Sequence, residues 1–423
     1  MPSLLRKKKA NESYVKYLFN LSHLWLGLLS SLVLIIVCLT GTILVFEQPI
    51  KDALTKEIRN IEVGSERVPL DVLKAKYTKQ YGEENVRITV PAESNKAIHF
   101  FTFNRQTGER VSAYANPYTG DFAGEESETV ITFFSNTLRM HRWLLVRGTG
   151  KAIVGISTII FLFLLLSGIV LWWPKRWKQL KNGLKVKFKA KFYRLNYDLH
   201  SVVGFYSMIG LFFLGATGLY FAYPQVRNGV KATLGGEVVV QANGGHQHGP
   251  RNNQNAQNSL NTANSGRGGQ AKGKRGNRAG NRTNPTILET GLAKVNQEFE
   301  YRSDVVITMP GRRSNGYKFQ KYNRDNTLGA YLPEYIELNR RGKQINRQAY
   351  ADLAMDQKVT SIMRPMHTGE IAGWPSMILY FILCIIGTSL PITGFVVWYK
   401  REAKARVKSD SHRMNRKSQL QQI

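Results

Sequence analysis

Four stretches of the chain stay apolar for about the length of a bilayer crossing, at roughly residues 20–46, 151–173, 199–222 and 375–399. About 20 apolar residues in helical conformation cover a hydrocarbon core. The segments between them have other periods. Residues 69–80 have helical spacing, with Pro69 at a first turn. Residues 85–90, 97–104 and 109–115 alternate apolar and polar positions, as half-buried strands do. Arg105-Gln-Thr-Gly108 and Asn116-Pro-Tyr-Thr-Gly120 are turn signals. After the third apolar stretch the same order returns: a helix over 285–299, then strands at 304–309, 317–323 and 335–339.

The predicted fold class is therefore membrane α-helical, with four transmembrane helices in a duplicated two-helix unit and two small α+β domains outside the membrane. The expected divisions are an arm (1–19), a first span (20–46), a first outer domain (47–130), a lead-in with the second span (131–173) and a connector (174–195). A third span (196–223), a second outer domain (224–367), a fourth span (368–399) and a tail (400–423) complete the chain. Residues 241–285, rich in Gly, Asn, Gln and Arg without Asp or Glu, cannot bury a core and are expected to be a disordered insertion.

Charge orients this plan. The net charge is +30, which in a soluble protein would suggest nucleic acid. Here Lys and Arg crowd the arm, the connector and the tail, beside the ends of apolar spans. By the positive-inside rule those three segments are cytoplasmic, so both termini are cytoplasmic and the α+β domains lie in the periplasm of a bacterial inner membrane. No nucleic-acid partner is expected. The first span is too long for a signal peptide and no Ala-x-Ala follows it, so it is read as retained. Cys38 and Cys384 lie inside spans and read as apolar fillers; there is no Cys-x-x-Cys-His for covalent haem.

The candidate chemistry lies in histidines at repeated spacings. His23 and His200 each precede a glycine by four residues (Gly27, Gly204) and a Thr-Gly glycine by 18 residues (Gly41, Gly218). His141 and His367 each precede a glycine by 27 residues (Gly168, Gly394), and a tryptophan follows that glycine four residues later (Trp172, Trp398). Ionisable groups near a membrane interior are functional candidates. Topology pairs His23 with His200 on the cytoplasmic side and His141 with His367 on the periplasmic side. Two neutral imidazoles from two helices can clamp one haem iron, so each face is expected to hold one haem. Gly27 and Gly204 lie on the same helix face as their His, with room for a flat macrocycle. Gly41 and Gly218 lie five turns on, about 27 Å along the axis, at the depth of the other haem. Ordinary small-residue helix packing explains the glycines as well, and the spacing leaves both readings open. His246-Gln-His248 reads as a linker with at most weak metal affinity, His99 as a strand residue and His412 as a tail residue. There is no phosphate loop, dinucleotide fingerprint or Ser/His/Asp arrangement, so electrons must come from a separate reductase or from quinol.

Several segments resemble the PepSY-associated transmembrane helix family. They are His23-x-Trp-x-Gly-Leu with Leu39-Thr-Gly41, Leu138-Arg-Met-His-Arg-Trp143, Gly168-Ile-Val-Leu-Trp-Trp-Pro-Lys175, Asp198-Leu-His200, and Met366-His-Thr-Gly-Glu-Ile-Ala-Gly373 with Pro391-Ile-Thr-Gly394. The Asn116-Pro-Tyr-Thr-Gly120 turn resembles the outer PepSY-like domain of that family. One departure is Leu24, where Arg commonly follows the His. The resemblance implies two b-type haems, with His23, His141, His200 and His367 as iron ligands. It also implies an oxidoreductase that reduces ferric siderophores or other ferric chelates in the periplasm for iron acquisition. The alternatives are a non-redox PepSY binding or regulatory module and a siderophore transport component. Against transport, no span has an acidic residue in its middle or a paired Gly/Pro interruption.

The tract 241–285 carries Arg251, Arg267, Lys272, Lys274, Arg275, Arg278 and Arg282 and no acid. A basic segment raises the on-rate of anionic ligands, and salt screens it. Deleting the tract is expected to leave haem content intact and to slow reduction of an anionic ferric chelate at low salt, with no effect on a neutral one. Equal rates for both chelates, with and without the tract, would leave it a spacer.

Overall fold

The computed structural model describes residues 8, 12–82, 86–103, 110–174, 180–236, 287–311, 316–323 and 332–420. The tract 241–285, with His246 and His248, lies outside them. In chain order the helices are α1 (Tyr14–Leu44), α2 (Glu47–Leu54), α3 (Lys56–Arg59), α4 (Leu70–Tyr81), α5 (Glu128–Trp143), α6 (Gly150–Trp172), α7 (Leu180–Gly183), α8 (Phe192–Asp198), α9 (Gly204–Ala222), α10 (Pro224–Thr233), α11 (Ile287–Glu298), α12 (Met355–Thr368) and α13 (Trp374–Leu420). A π-turn, Leu199–Val203, joins α8 to α9 into one continuous rod. The strands are β1 (Arg87–Val90), β2 (Ile98–Phe103), β3 (Arg110–Ala115), β4 (Phe122–Glu125), β5 (Val305–Thr308), β6 (Gly316–Asn323), β7 (Leu332–Asn339) and β8 (Gln344–Gln348).

Four helices are long and apolar enough to cross a membrane: Tyr14–Leu44, Gly150–Trp172, Phe192–Ala222 and Trp374–Ala403. They pack as a four-helix bundle in which α1 touches α6 and α13, and α9 touches α6 and α13. Three of them exceed the expected spans. Helix α1 begins at Tyr14, so His23 lies more than two turns inside it and not at its start. Polar residues continue the helix beyond the apolar window because a helix satisfies its own backbone groups on either side of the interface. For the same reason α13 runs unbroken from the span into the basic tail. The middle of the bundle is an apolar cluster of Leu34, Phe161, Leu165, Leu211 and Leu383.

The two outer segments do not fold as separate sheets. Their strands join into one eight-stranded antiparallel sheet of order β4-β3-β2-β1-β5-β6-β7-β8. The seam is β1 on β5, with Arg87 opposite Thr308 and Val90 opposite Val305. A four-strand meander leaves β1 as an unpaired edge, and pairing with β5 removes both edges at once. Since both outer segments share this sheet, they lie beyond the same end of the bundle. On one face α4 and α11 cover a single core that includes Leu73, Tyr77, Ile88, Phe100, Val295, Ile307, Phe319, Ile336 and Leu338. Helix α11 sits so close that a Cβ on Gly291 would fall 2.0 Å from Phe319. Strands β4 and β8 have no counterpart among the expected strands. The exposures of Gln344–Gln348 do not follow a buried-strand alternation, so its composition carries little signal. The expected turn at 116–120 forms: Asn116 Oδ1 accepts from the Tyr118 N–H (2.9 Å), and Gly120 adopts φ +75°.

The first turns of α4 and α11 meet across the seam. Glu289 Oε1 caps the Leu70 N–H at 2.7 Å, while Asp71 Oδ2 is buried without a hydrogen-bond partner. Burial, and then the neighbouring Glu289 carboxylate, push the Asp71 carboxyl up from 3.8 to about 6. As pH rises from 3.8 to about 6, the unfolded chain gives up a proton that the folded chain keeps, so stability is lost across that window and stays lower above it. Asp71→Asn is therefore expected to raise the thermal unfolding midpoint at pH 7, with the advantage closing below about pH 4. The midpoints of the detergent-purified parent and variant at the two pH values check this; a gap independent of pH would remove Asp71 as its source.

Candidate functional site

Four histidines meet in two pairs at the two ends of the bundle. His23 on α1 and His200 in the π-turn have ring centres 6.4 Å apart, with planes at 88°. His141 on α5 and His367 on α12 have ring centres 6.3 Å apart, at 57°. The pairs are those expected from topology. The second pair, on the sheet side, arrives on two separate helices that descend from the sheet and break before the spans begin: α5, in the amphipathic lead-in that the sequence shows over 130–147 with a bend near Gly148-Thr-Gly150, and α12, which the apolar pattern did not show. After His141 the break is Leu144 and Leu145, both in the left-handed region at φ 56° and 59°. After His367 it is Gly369 at φ 83°. Non-glycine residues in that region cost of order 1–2 kcal/mol each, which the packing around the turn must outweigh.

Each imidazole is held in the same way by the neighbouring helix. His23 Nδ1 lies 2.8 Å from Ser167 Oγ. His141 Nδ1 lies 3.1 Å from Thr40 Oγ1 and 2.9 Å from the Val37 carbonyl. His200 Nδ1 lies 3.0 Å from Thr393 Oγ1 and 3.1 Å from the Leu390 carbonyl. His367 Nδ1 lies 2.9 Å from Thr217 Oγ1. The residue after each hydroxyl is a glycine, and that glycine faces the ring. A Cβ added at Gly168, Gly41, Gly394 or Gly218 would fall 3.7, 3.4, 3.0 or 3.5 Å from Cε1 of His23, His141, His200 or His367 respectively. The unit is thus a Ser/Thr-Gly step on one helix receiving an imidazole from another, four times over.

This relocates the glycines of the sequence pattern. Gly41 and Gly218 lie at the sheet-side pair, five turns from His23 and His200, where an added Cβ would meet Cε1 of His141 and of His367, and at Gly41 also Cys384 Sγ at 3.4 Å. Gly27 faces Leu164 and Gly204 faces Leu390, at 3.8 and 3.3 Å from an added Cβ. Ser167 was not singled out in the sequence, and Thr393 only within Pro391-Ile-Thr-Gly394. The signal was there, since each span contains one of the steps Thr40-Gly41, Ser167-Gly168, Thr217-Gly218 and Thr393-Gly394.

The donor set can be tested against iron. Outside the spans, burial and then His141 draw His367 down to about 4, and burial lowers His141 as well, so both are neutral imidazoles at physiological pH. A metal–imidazole bond of about 2 Å, plus roughly 1.2 Å from that nitrogen to the ring centre, puts two rings on one metal about 6.4 Å apart. Both pairs have that separation. Among the described residues no group of three or more His, Cys, Asp or Glu side chains could hold a bare metal ion. Two imidazoles alone suit a metal whose remaining positions a macrocycle fills, so the residues fit haem. An amphipathic cleft opens beside the sheet-side pair between α1 and α5, lined by Thr40, Phe133, Asn136, Thr137 and Met140 among others.

His99 is a useful contrast. Its Nε2–H donates to Ser112 Oγ (2.8 Å), which donates to Glu126 Oε2 (3.0 Å), and its ring stacks on Tyr114. Burial, and then Arg59, lower it to about 4. No second imidazole faces it among the described residues, so it is a strand histidine satisfied in place. Cys38 and Cys384 are free thiols packed against the glycines of the opposite helix, Gly387 and Gly41.

Residues 21–401 of the chain match the PepSY-associated TM region family. No curated protein matches it.

The clearances rank the glycines. Gly394→Ala places a methyl 3.0 Å from His200 and forces the ring to move, whereas Gly168→Ala makes ordinary contact at 3.7 Å. Overpacking of this kind costs about 1–3 kcal/mol. The expected order of loss in unfolding midpoint is Gly394→Ala, then Gly41→Ala and Gly218→Ala, then Gly168→Ala. Equal midpoints for the first and last would show that the rings are not confined by these glycines.

Proposed function

The chain belongs to the PepSY-associated TM region family, and on that premise we propose that it is a haem-dependent oxidoreductase that reduces ferric chelates. In this reading it sits in a bacterial inner membrane with both termini in the cytoplasm and its sheet in the periplasm. The orientation is supported by the Lys and Arg content of the arm, connector and tail, whose described parts join the ends of the spans away from the sheet. The two halves of the chain are a duplicated unit, supported by the fourfold recurrence of the Ser/Thr-Gly step against histidine.

The observation that carries the proposal is the pairing of four histidines at 6.4 and 6.3 Å, each with Nδ1 occupied and Nε2 left over. His23 and His200 would hold a b-type haem at the cytoplasmic end, and His141 and His367 one at the periplasmic end. Haem, when bound, would supply reversible one-electron chemistry at its iron. Two imidazoles facing one another in this way would leave the iron of a bound haem no position for a small ligand, which would suit electron transfer.

The rest of the chain has supporting tasks. The cluster of Leu34, Phe161, Leu165, Leu211 and Leu383 between the two stations keeps water and ions from crossing. The sheet and the cleft beside Thr40 lie where a ferric siderophore or other ferric chelate would approach. Iron(II) is held less tightly than iron(III) by hard oxygen chelators, so reduction releases iron for uptake. The electrons come from a cytoplasmic reductase or from membrane quinol.

Purified protein is expected to contain two non-covalent haems with low-spin spectra by pyridine haemochrome assay. His23→Ala or His200→Ala should remove one of them, and His141→Ala or His367→Ala the other. Absence of haem after expression with ample haem would sink the proposal; loss of the same single haem in His23→Ala and His367→Ala would overturn the pairing.

A further inference from the structure

We propose that Ser167, Thr40, Thr393 and Thr217 are positioning residues that fix which nitrogen of each imidazole is free and set how strongly that nitrogen donates to iron. This rests on the haem reading above and assigns to four hydroxyls a task beyond helix packing.

A count of hydrogens decides the tautomer. A hydroxyl has one hydrogen to give. Ser167 Oγ gives it to the Leu164 carbonyl at 3.0 Å. Thr40 Oγ1 lies 2.7 Å from the Ile36 carbonyl and 2.9 Å from that of Val37. Thr393 Oγ1 lies 2.9 Å from the Ser389 carbonyl and 3.1 Å from that of Leu390. Thr217 Oγ1 lies 2.9 Å from the Phe213 carbonyl and 3.1 Å from that of Leu214. In each case the hydrogen goes to the hydroxyl's own helix, one turn back. The lone pair facing the histidine can then only accept. The carbonyls of Val37 and Leu390, which also reach His141 and His200, can only accept as well. The carbonyls fix the proton on Nδ1 of His141 and His200; at His23 and His367 the Ser167 and Thr217 hydroxyls, with their hydrogens on their own helices, assign it to Nδ1 as well, and Nε2 keeps its lone pair. Had the hydroxyl been free to donate, either tautomer would have been satisfied.

Two consequences follow. In an apolar bundle the N–H cannot turn to water, so the neighbouring helix fixes the ring's orientation as well as its tautomer. Hydrogen bonding of Nδ1–H also increases the electron donation of Nε2, as it does for metal-bound histidine generally. The hydroxyl sits next to the glycine that admits the ring, so one dipeptide both opens the space and orients what enters it. Valine at Thr217 would keep the shape of threonine and remove only the acceptor, which separates this role from packing.

The test uses the full-length protein in detergent, with Thr217→Val for the sheet-side station and Ser167→Ala for the other. Loss of an outer partner of this kind weakens metal binding by roughly 10–100-fold. Haem transfer to an excess of apomyoglobin should accelerate by a corresponding factor, for one haem only in each variant. The midpoint potential of that haem should rise, because a less donating imidazole favours the ferrous state, and its low-spin EPR signal should shift. Thr217→Ser and Ser167→Thr should restore the parental values. The ¹⁵N shifts of labelled haem-free parent should report Nδ1–H at the four histidines, a readout independent of haem loading. Unchanged transfer rates, potentials and EPR in both variants, or Nε2–H tautomers in the parent, would overturn the assignment. A parent that binds no haem but shows Nδ1–H would instead overturn the haem reading, leaving the tautomer lock in place. If Thr217→Val fails to fold, the tautomer measurement on the parent still decides.

Discussion

The constraint behind the helix bundle is that an imidazole N–H inside a membrane protein has to be satisfied by protein. Lipid offers no acceptor, and an unsatisfied polar group there costs several kcal/mol. A regular helix spends its own carbonyls on its own amides, so a second acceptance must come from a carbonyl's remaining lone pair or from a side chain. Ser or Thr one turn after that carbonyl supplies both at one place. The hydroxyl folds back on the helix and still shows a lone pair outward. The adjacent glycine is then required by distance: a Cβ at Gly394 would stand 3.0 Å from the ring of His200. From this one contact follow the helix neighbours. α1 must touch α6 to satisfy His23 and α5 to satisfy His141, and the third and fourth spans repeat the arrangement through His200 and His367.

The sheet meets a second demand. His141 and His367 are not carried on the spans themselves. They descend on α5 and α12, whose upper ends follow β4 and β8. Two separate small sheets would let those helices move independently. The β1–β5 seam makes one rigid body of them, with a single core under α4 and α11. Bringing two imidazoles to 6.3 Å from helices 226 residues apart in sequence is thereby a property of the sheet as much as of the bundle. The weak place in that body is the Asp71–Glu289 contact, where two acidic first turns approach each other across the seam.

The spans and their number could be read from the chain directly, because bilayer thickness converts to a count of apolar residues. The four histidines could be picked out as well, since their spacing to glycine repeats and an ionisable group beside a membrane is costly enough to need a reason. Their pairing could be deduced from topology alone. What could not be read was why the glycines were there. Gly41 and Gly218 could be placed at the depth of the sheet-side pair, but a one-dimensional spacing does not say which side chains stand beside them. Ser167, and the role of Thr393 within Pro391-Ile-Thr-Gly394, could not be read because a lone hydroxyl in an apolar helix looks like any helix contact when its partner is 144 or 193 residues away in sequence. The β1–β5 seam was equally invisible. Alternation tells a strand which face is buried, but carries no label for the strand beside it, so two similar meanders read as two domains. Local pattern determined the elements and the candidate ligands; which helix satisfies which histidine, and which strand closes which edge, were decided only by packing in three dimensions.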